Sequence, residues 1–394
     1  MATVRKRTLP SGMVRWLAGY VDGAGERRFK QFARKADAEA WLVETRHDVA
    51  RGVHTPGSQS PTMKEAAALW IKRCNEKGLE PTTVKGYEEH VDLHIVPFIG
   101  AKKASEITVP TVHAFTDQLS AAGRSPEMIK KVVGSLGSIF KELRRRGLAN
   151  TAPTAGIDLD LGDDDREDPR PIIPTKAELQ AIIAGAVDRW RPLILVAIFC
   201  GLRASELRGL TWSNVDLDAK QLKLTQRADA SHRIGKLKSK NAYRSVPCPP
   251  LVLNALREWK LRCPKGDLGL VFPNGVGKVE SHSNLLDRGL HPILVAAGIT
   301  GRIAVLDDTG QPIISNAGTP VMREVPNYGM HSLRHACASL WIESGYNPKQ
   351  IQRLMGHSSI KVTFDIYGHL FADADADQRA AEGVQARLMG PANA

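Results

Sequence analysis

The sequence has few cysteines, no long apolar run and no internal repeat. Its five cysteines (Cys74, Cys200, Cys248, Cys263 and Cys337) are an odd number in 394 residues and form no CxxC pair. Neither a disulfide framework nor a cysteine-based zinc site is expected, and reduced thiols in a cytoplasmic protein are the plain reading. The longest apolar stretch, Leu193 to Cys200, is too short to span a bilayer. The opening MATVRKRTLP leads into no apolar run of the kind that makes a secretory signal. No membrane partner is expected.

What is present is positive charge, unevenly spread. The formal net charge is +12. Residues 1–55 carry 11 Lys/Arg against 6 Asp/Glu, 56–155 carry 14 against 10, and 174–394 carry 27 against 19. Between the last two, residues 156–173 carry 2 against 7. Basic modules separated by an acidic junction suit a multi-domain protein that touches a polyanion, since each Lys or Arg at a phosphate releases counterions.

The first module, 1–57, alternates in MVRWLAGYV, turns at Asp22-Gly23 and resumes in ERRFKQF, which predicts a hairpin. A helix, KADAEAWLVETRHDVA, follows. Arg15, Arg27, Arg28 and Lys30 are expected on exposed strand positions, either as a solvated face or as a basic sheet face for a DNA groove. The second module, 62–155, is expected to be a four-helix unit. Thr62 to Glu65 forms a capping box, and Ser125-Pro126-Glu127 opens a long helix with Val132, Leu136, Ile139, Phe140 and Leu143 as its buried stripe. Lys130 and Lys131 lie off that stripe, on a basic surface. The acidic, proline-containing 156–173 reads as an extended linker. The third module, 174–394, opens on the capping box Thr175 to Glu178 and mixes helices with short strands. A polar hairpin is expected within 301–328 and a helix near 372–388.

Candidate chemistry lies in the third module. MGHSSIKVTFDIYGHL (355–370) carries three polar rings, His357, Tyr367 and His369, among apolar residues. Tyr367 does not fit the apolar periodicity, and reads either as a satisfied core residue or as a nucleophile. Upstream, His331 and Arg334 in HSLRH share one helix face. A zinc reading of His331 and His335 fails because Ser332 stands where a metalloprotease helix needs Glu, so no metal is expected. In FCGLRASELRGLTW, Arg203 follows an apolar helix and needs an anionic partner. That partner is Glu206 alone, or a phosphate with Glu206 steadying the guanidinium. GKLKSKNAYRSVP reads as a turn between two strands that carries Lys236, Lys238 and Lys240 at a mobile tip.

These pieces suit metal-free attack on a phosphodiester. Two guanidiniums and imidazole donors stabilise a pentacoordinate transition state. A tyrosine, with an ordinary pKa of about 10, needs that electropositive surround to attack as phenolate. A lysine protonates the departing oxygen.

In order, GLRASEL, a hairpin lysine, HSLRH, Gly356-His357 and Tyr367 ten residues on resemble the tyrosine recombinases, in particular phage-type integrases. The resemblance covers about 62–390. It implies a mainly α, multi-domain fold with small β elements: an arm-binding-like sheet-plus-helix domain, a helical core-binding (SAM-like) domain and an α+β catalytic domain. It implies Arg203, His331, Arg334 and His357 as the phosphate-activating set and Tyr367 as the nucleophile that forms a 3′-phosphotyrosine. Glu206 maps onto the family's acidic partner and Lys238 onto its lysine, with Lys240 as the alternative. It further implies double-stranded attachment-site DNA as partner, a homotetramer on paired sites, an excision factor or host architectural protein, no cofactor, and work in the cytoplasm of a bacterial host, at its nucleoid. A Xer-like resolving recombinase, a type IB topoisomerase-like relaxing enzyme and an inactive DNA-binding relative are the other readings. The 301–328 insertion is longer than the family pattern predicts, and the C-terminal segment has the position of one passed to a neighbouring protomer.

Overall fold

The structure is a computed structural model that describes residues 3–23, 25–50, 56, 60–159, 171–307 and 311–371, and a final helix at 374–389 with side chains from 381 on. The acidic run 160–170 of the expected linker lies outside the described residues. The chain divides into two compact units, Met1–Arg166 and Glu167–Ala394.

The first unit begins with strands β1 (Thr3–Thr8), β2 (Val14–Val21) and β3 (Arg27–Phe32), antiparallel in that order. The hairpin is therefore the second half of a three-stranded sheet. The segment TVRKRT, too basic to read as a strand, supplies the first. Helix α1 (Lys35–Ala50) covers one face, where Ala18, Tyr20, Ala38 and Leu42 form a small core. Strand alternation divides the four basic residues expected on one surface. Arg28 and Lys30 register with Tyr20 and Ala18, on the helix side. Arg28 pairs with Asp22 at 2.9 Å, and Lys30 stands 5.0 Å from the Trp41 ring centroid. Arg15 and Arg27 fall on the opposite face with Arg5 and Arg7, around a Phe29 that is 62% exposed.

Helices α2 (Met63–Glu76), α3 (Pro81–His90), α4 (Val96–Ile99), α5 (Val109–Ala121) and α6 (Pro126–Arg145) follow, with a π-helical stretch, Val91–Ile95, between α3 and α4. Their starts are chemically marked. Thr62 makes a reciprocal capping box with Glu65, while Thr108 and Ser125 accept from the backbone N–H three residues on. The stripe Val132, Leu136, Ile139, Phe140 and Leu143 is buried in a separate core, and Lys130 and Lys131 are exposed.

The second unit runs α7 (Lys176–Gly185), α8 (Trp190–Cys200), α9 (Ala204–Gly209), β4 (Val215–Asp216), β5 (Gln221–Leu224), β6 (Gln226–Ala228), β7 (Ile234–Lys236), β8 (Arg244–Pro247), α10 (Pro250–Arg262), α11 (His282–Asn284), α12 (His291–Ala296), β9 (Thr300–Ala304), β10 (Met322–Pro326), α13 (Met330–Glu343), α14 (Pro348–Met355), α15 (Ile360–Tyr367) and α16 (Ala374–Met389). A π-helical stretch, Leu285–Leu290, joins α11 to α12. Apolar on nearly every side, α8 is the central helix and packs against α10 and α13.

The lysine segment departs from the expected hairpin tip. Strand β7 pairs with β6 and β8 pairs with β5, so residues 237–243 cross between two small sheets. Leu237 and Ala242 anchor the crossover in the core, and the turn of the β6–β7 hairpin lies at 229–233 instead. The expected hairpin in 301–328 is present as β9 paired with β10, extended by bridges Leu306↔Pro312 and Ile314↔Pro320.

Candidate active site

The site assembles where α8 ends, α14 ends and α13 begins. Gly201 ends α8 in the left-handed conformation (φ 61°), and a Cβ there would meet Met355 Cε at 3.0 Å and Cys337 Sγ at 3.1 Å. The reversal delivers Arg203 to the start of α9. Its backbone N–H donates to Glu206 Oε2 at 2.9 Å and its guanidinium to Glu206 Oε1 at 2.7 Å.

Three arginines then take three consecutive carbonyls at the C-terminus of α14. Arg244 Nε donates to Leu354 O at 2.6 Å, Arg334 to Met355 O, and Arg203 to Gly356 O at 3.0 Å. Arg334 also donates to Gly201 O. The last carbonyls of a helix have no intrahelical donors and sit at the negative end of its dipole, so cations are the natural caps. Gly356, left-handed at φ 63°, turns the chain out of this cage, and His357 follows. Asn241 Nδ2 reaches across from the lysine crossover to the carbonyls of His357 (3.3 Å) and Ser358 (3.0 Å).

Glu206 is the anionic hub, 2% exposed. Arg244 grips it with both terminal nitrogens, at 3.0 and 2.9 Å. Burial pushes its carboxyl up, but the Arg244 hydrogen bonds and the charges of Arg244, Arg334 and Arg203 outweigh that and hold it at about 2. Glu206 thus forms the expected ion pair with Arg203 and holds its guanidinium in place. Arg334, 2% exposed, is lowered to about 9 mainly by burial and remains a cation at neutral pH. Arg203 and Arg334 each give only part of their five N–H donors to these side-chain bonds.

Tyr367 ends α15 and is 1% exposed, in a cluster with Cys337, Ala338, Ile351 and Met355. Its ring packs in the core, as the first of the two expected readings has it, while its hydroxyl has a polar partner. That hydroxyl is 2.7 Å from His335 Nδ1. The His357 ring lies nearly parallel to the tyrosine, 6.2 Å between centroids, with Nδ1 3.0 Å from Thr363 Oγ1. His331 stands at the exposed side, its ring 4.5 Å from that of His335. Burial, followed by nearby positive charge, lowers His357 to about 3 and His335 to about 4. Burial raises Tyr367 to about 12 against the lowering effect of Arg334.

Lys238 is exposed and lines a cavity of about 270 Å³ with Arg203 and Glu206. Lys240 starts a 3₁₀ turn and borders a different cavity with Arg353 and His357. Arg15, Arg27, Arg28, Lys30, Lys130 and Lys131 belong to the other unit. Two residues of the site carried no assigned role in the sequence, Arg244 and His335. Spacing alone marked His335, four residues after His331 on one helix. Among the described residues no group of three or more His, Cys, Asp or Glu is placed to hold a metal ion, and no helix is long and apolar enough to cross a membrane.

The pattern for the phage integrase family matches residues 175–373, and that for the phage integrase N-terminal SAM-like domain matches 62–120. The chain belongs to the phage integrase family. It is a tyrosine recombinase, an enzyme of DNA strand cleavage and rejoining. A tyrosine recombinase XerC-like protein of Caldanaerobacter subterraneus is 25% identical over 356 residues, covering 85% of this chain and 86% of that one. An integrase of Streptomyces ambofaciens is 25% identical over 378 residues, covering 90% and 89%. In fold, the chain is similar to the Tn1549 transposon integrase solved with transposon right end DNA (TM-score 0.62, 19% identity, 81% of this chain and 99% of that one). It is also similar to a lambda integrase dimer bound to a core site (TM-score 0.54, 16% identity, 93% and 94%).

Proposed function

We propose that this recombinase integrates and excises a phage or other mobile element, and that Tyr367 is its nucleophile. The observation that carries the assignment is convergence. Arg203, Arg334, His331, His357 and Tyr367, spread over more than 160 positions, meet at one site whose tyrosine hydroxyl is the only ionisable oxygen among them. A scissile phosphate docks on the free donors of Arg203 and Arg334, with His331 and His357 donating to the same oxygens. Tyr367 attacks phosphorus, a 3′-phosphotyrosine forms, and the departing 5′-oxygen takes a proton from Lys238 beside Arg203. Lys240 is the alternative acid. The 5′-hydroxyl of a partner strand reverses the step, so bond energy is retained with no cofactor and no metal.

The same reading has double-stranded attachment DNA and three further copies of this chain as partners, and an excision factor or host architectural protein setting direction in a bacterial cytoplasm. The arginine-lined open face of β1–β3 supports a second class of DNA site, which favours integration over a resolving role of the Xer type. The likeness to a XerC-like protein keeps that role as the second reading, and footprints of one site class only would select it.

The test is a nicked duplex from DNA flanking the protein's own gene, run on a denaturing gel. Wild type is expected to give a covalent protein–DNA band, and Tyr367→Phe to bind the same duplex and give none. A band with the variant overturns the assignment of Tyr367.

A further inference from the structure

Among the described residues, the polar side chain that meets the nucleophile's hydroxyl is His335. Nδ1 of His335 lies 2.7 Å from the Tyr367 oxygen, with ring centroids 5.6 Å apart and planes inclined by 62°. The rings meet edge-on at hydrogen-bond distance rather than stacking. Both groups are held. The tyrosine ring is locked in the core by Cys337, Ile351 and Met355, and His335 is fixed on α13 between the buried residues Arg334 and Ala336.

The groups facing His335 determine which way the proton lies. On its own helix they are His331 and Arg334, from α15 Tyr367, and at the end of α14 His357. None is an anion. His335 is therefore neutral at physiological pH, and in the tautomer that carries its proton on Nε2 its Nδ1 accepts from the phenol, itself raised by burial. In that tautomer the Tyr367 proton points at the Nδ1 lone pair.

We propose that His335 is the catalytic base of the strand-cleavage step, the group that receives the Tyr367 proton during attack. This rests on the assignment of Tyr367 as nucleophile. As the Tyr367 oxygen–phosphorus bond forms, the O–H bond breaks and its proton passes to Nδ1 of His335. The phosphorus–O5′ bond breaks, and the 5′-oxygen takes its proton from the lysine. In rejoining, the incoming 5′-hydroxyl returns a proton to the lysine and His335 reprotonates the departing phenolate, so both groups end as they began. In the resting site the transfer runs steeply uphill, from a raised phenol to a lowered imidazole beside the Arg334 guanidinium. A bound phosphodiester reverses that balance, because its negative charge offsets Arg203 and Arg334 and stabilises the imidazolium. The nucleophile is then activated only when DNA is in place.

The experiment follows covalent adduct formation on the nicked duplex with a 5′-bridging phosphorothiolate, whose thiolate leaves without a proton and so removes the lysine step. Wild-type and Tyr367→Phe proteins run alongside. Wild type is expected to show a rate nearly flat from pH 7 to 9. His335→Ala is expected to bind the duplex as wild type does, to react about 10²–10⁴-fold more slowly, to gain about tenfold in rate per pH unit, and to be partly rescued by added imidazole. His335→Asn retains an acceptor for the hydroxyl but takes no proton, and is expected to be as slow as His335→Ala. A His335→Asn enzyme at the wild-type rate reduces His335 to a positioning residue. A His335→Ala enzyme as fast as wild type, or one slow without pH dependence or imidazole rescue, overturns the proposal. An adduct with Tyr367→Phe instead overturns the assignment on which it rests.

Discussion

Glu206 shows how one buried carboxylate can organise several arginines. Its carboxylate, buried among Arg203, Arg244 and Arg334, is held at about 2 against an ordinary 4.5. The unfolded chain thus binds the proton more tightly, and the pair contributes stability above pH 4.5 that is lost as pH falls toward 2. The difference corresponds to roughly 3 kcal/mol. His335 and His357, lowered to about 4 and about 3, act in the same direction but start earlier, withdrawing stability as pH falls below 6.5. Urea melts of the wild type are therefore expected to weaken progressively from pH 6.5 downward. Glu206→Gln should be less stable at pH 7 and show a shallower acid limb below pH 4.5. An unchanged acid limb in that variant would mean that the carboxylate is not held by the arginines. The acidic residue was visible in the sequence as the i+3 neighbour of Arg203, but its second clamp, Arg244, was not. That residue is 38 positions away, on a strand whose pairing brings it under α14.

At the scale of elements, the C-terminus of α14 organises the site, since three arginines cap its last carbonyls and the next residue is His357. Two predictions follow from that cage. Gly356 is left-handed, and a Cβ there would stand 2.9 Å from an Arg244 nitrogen and 3.1 Å from Asn241 O. Gly356→Ala is expected to cost about 1–2 kcal/mol from the backbone conformation alone, with further loss from crowding, read as a lower melting temperature. Arg244→Lys keeps the charge but loses the two-pronged grip on Glu206 and the bond to Leu354 O. It should lower the unfolding free energy by about 1–3 kcal/mol and slow adduct formation while leaving DNA binding intact. A variant that cleaves at the wild-type rate would show that the carbonyl cage does not set the position of His357. Helix starts were legible because caps are local, as at Thr62, Ser125 and Thr175. The lysine crossover was misread because strand partners are not local: β7 and β8 are neighbours in sequence and belong to different sheets.

For the whole molecule, the charge distribution read from composition becomes a statement about faces. Arg15 and Arg27 lie with Arg5 and Arg7 on the open side of the first sheet, while Arg28 is paired with Asp22 and Lys30 stacks near Trp41. If the open face holds DNA, Arg15→Ala/Arg27→Ala should weaken binding and reduce the magnitude of the slope of log affinity against log salt by about 2. Arg28→Ala/Lys30→Ala should leave the slope unchanged. Equal effects from the two pairs would show that the faces are not distinct. The sequence by itself determined the family, the helix starts, the buried stripe of α6 and the motif residues that converge on the site, because these rest on local periodicity, capping chemistry and short motifs. Tertiary structure alone decided which side of the sheet each arginine occupies and which carbonyls the arginines cap. It also decided that Tyr367 is buried against His335, since strand register and long-range packing place residues far apart in sequence within hydrogen-bond distance.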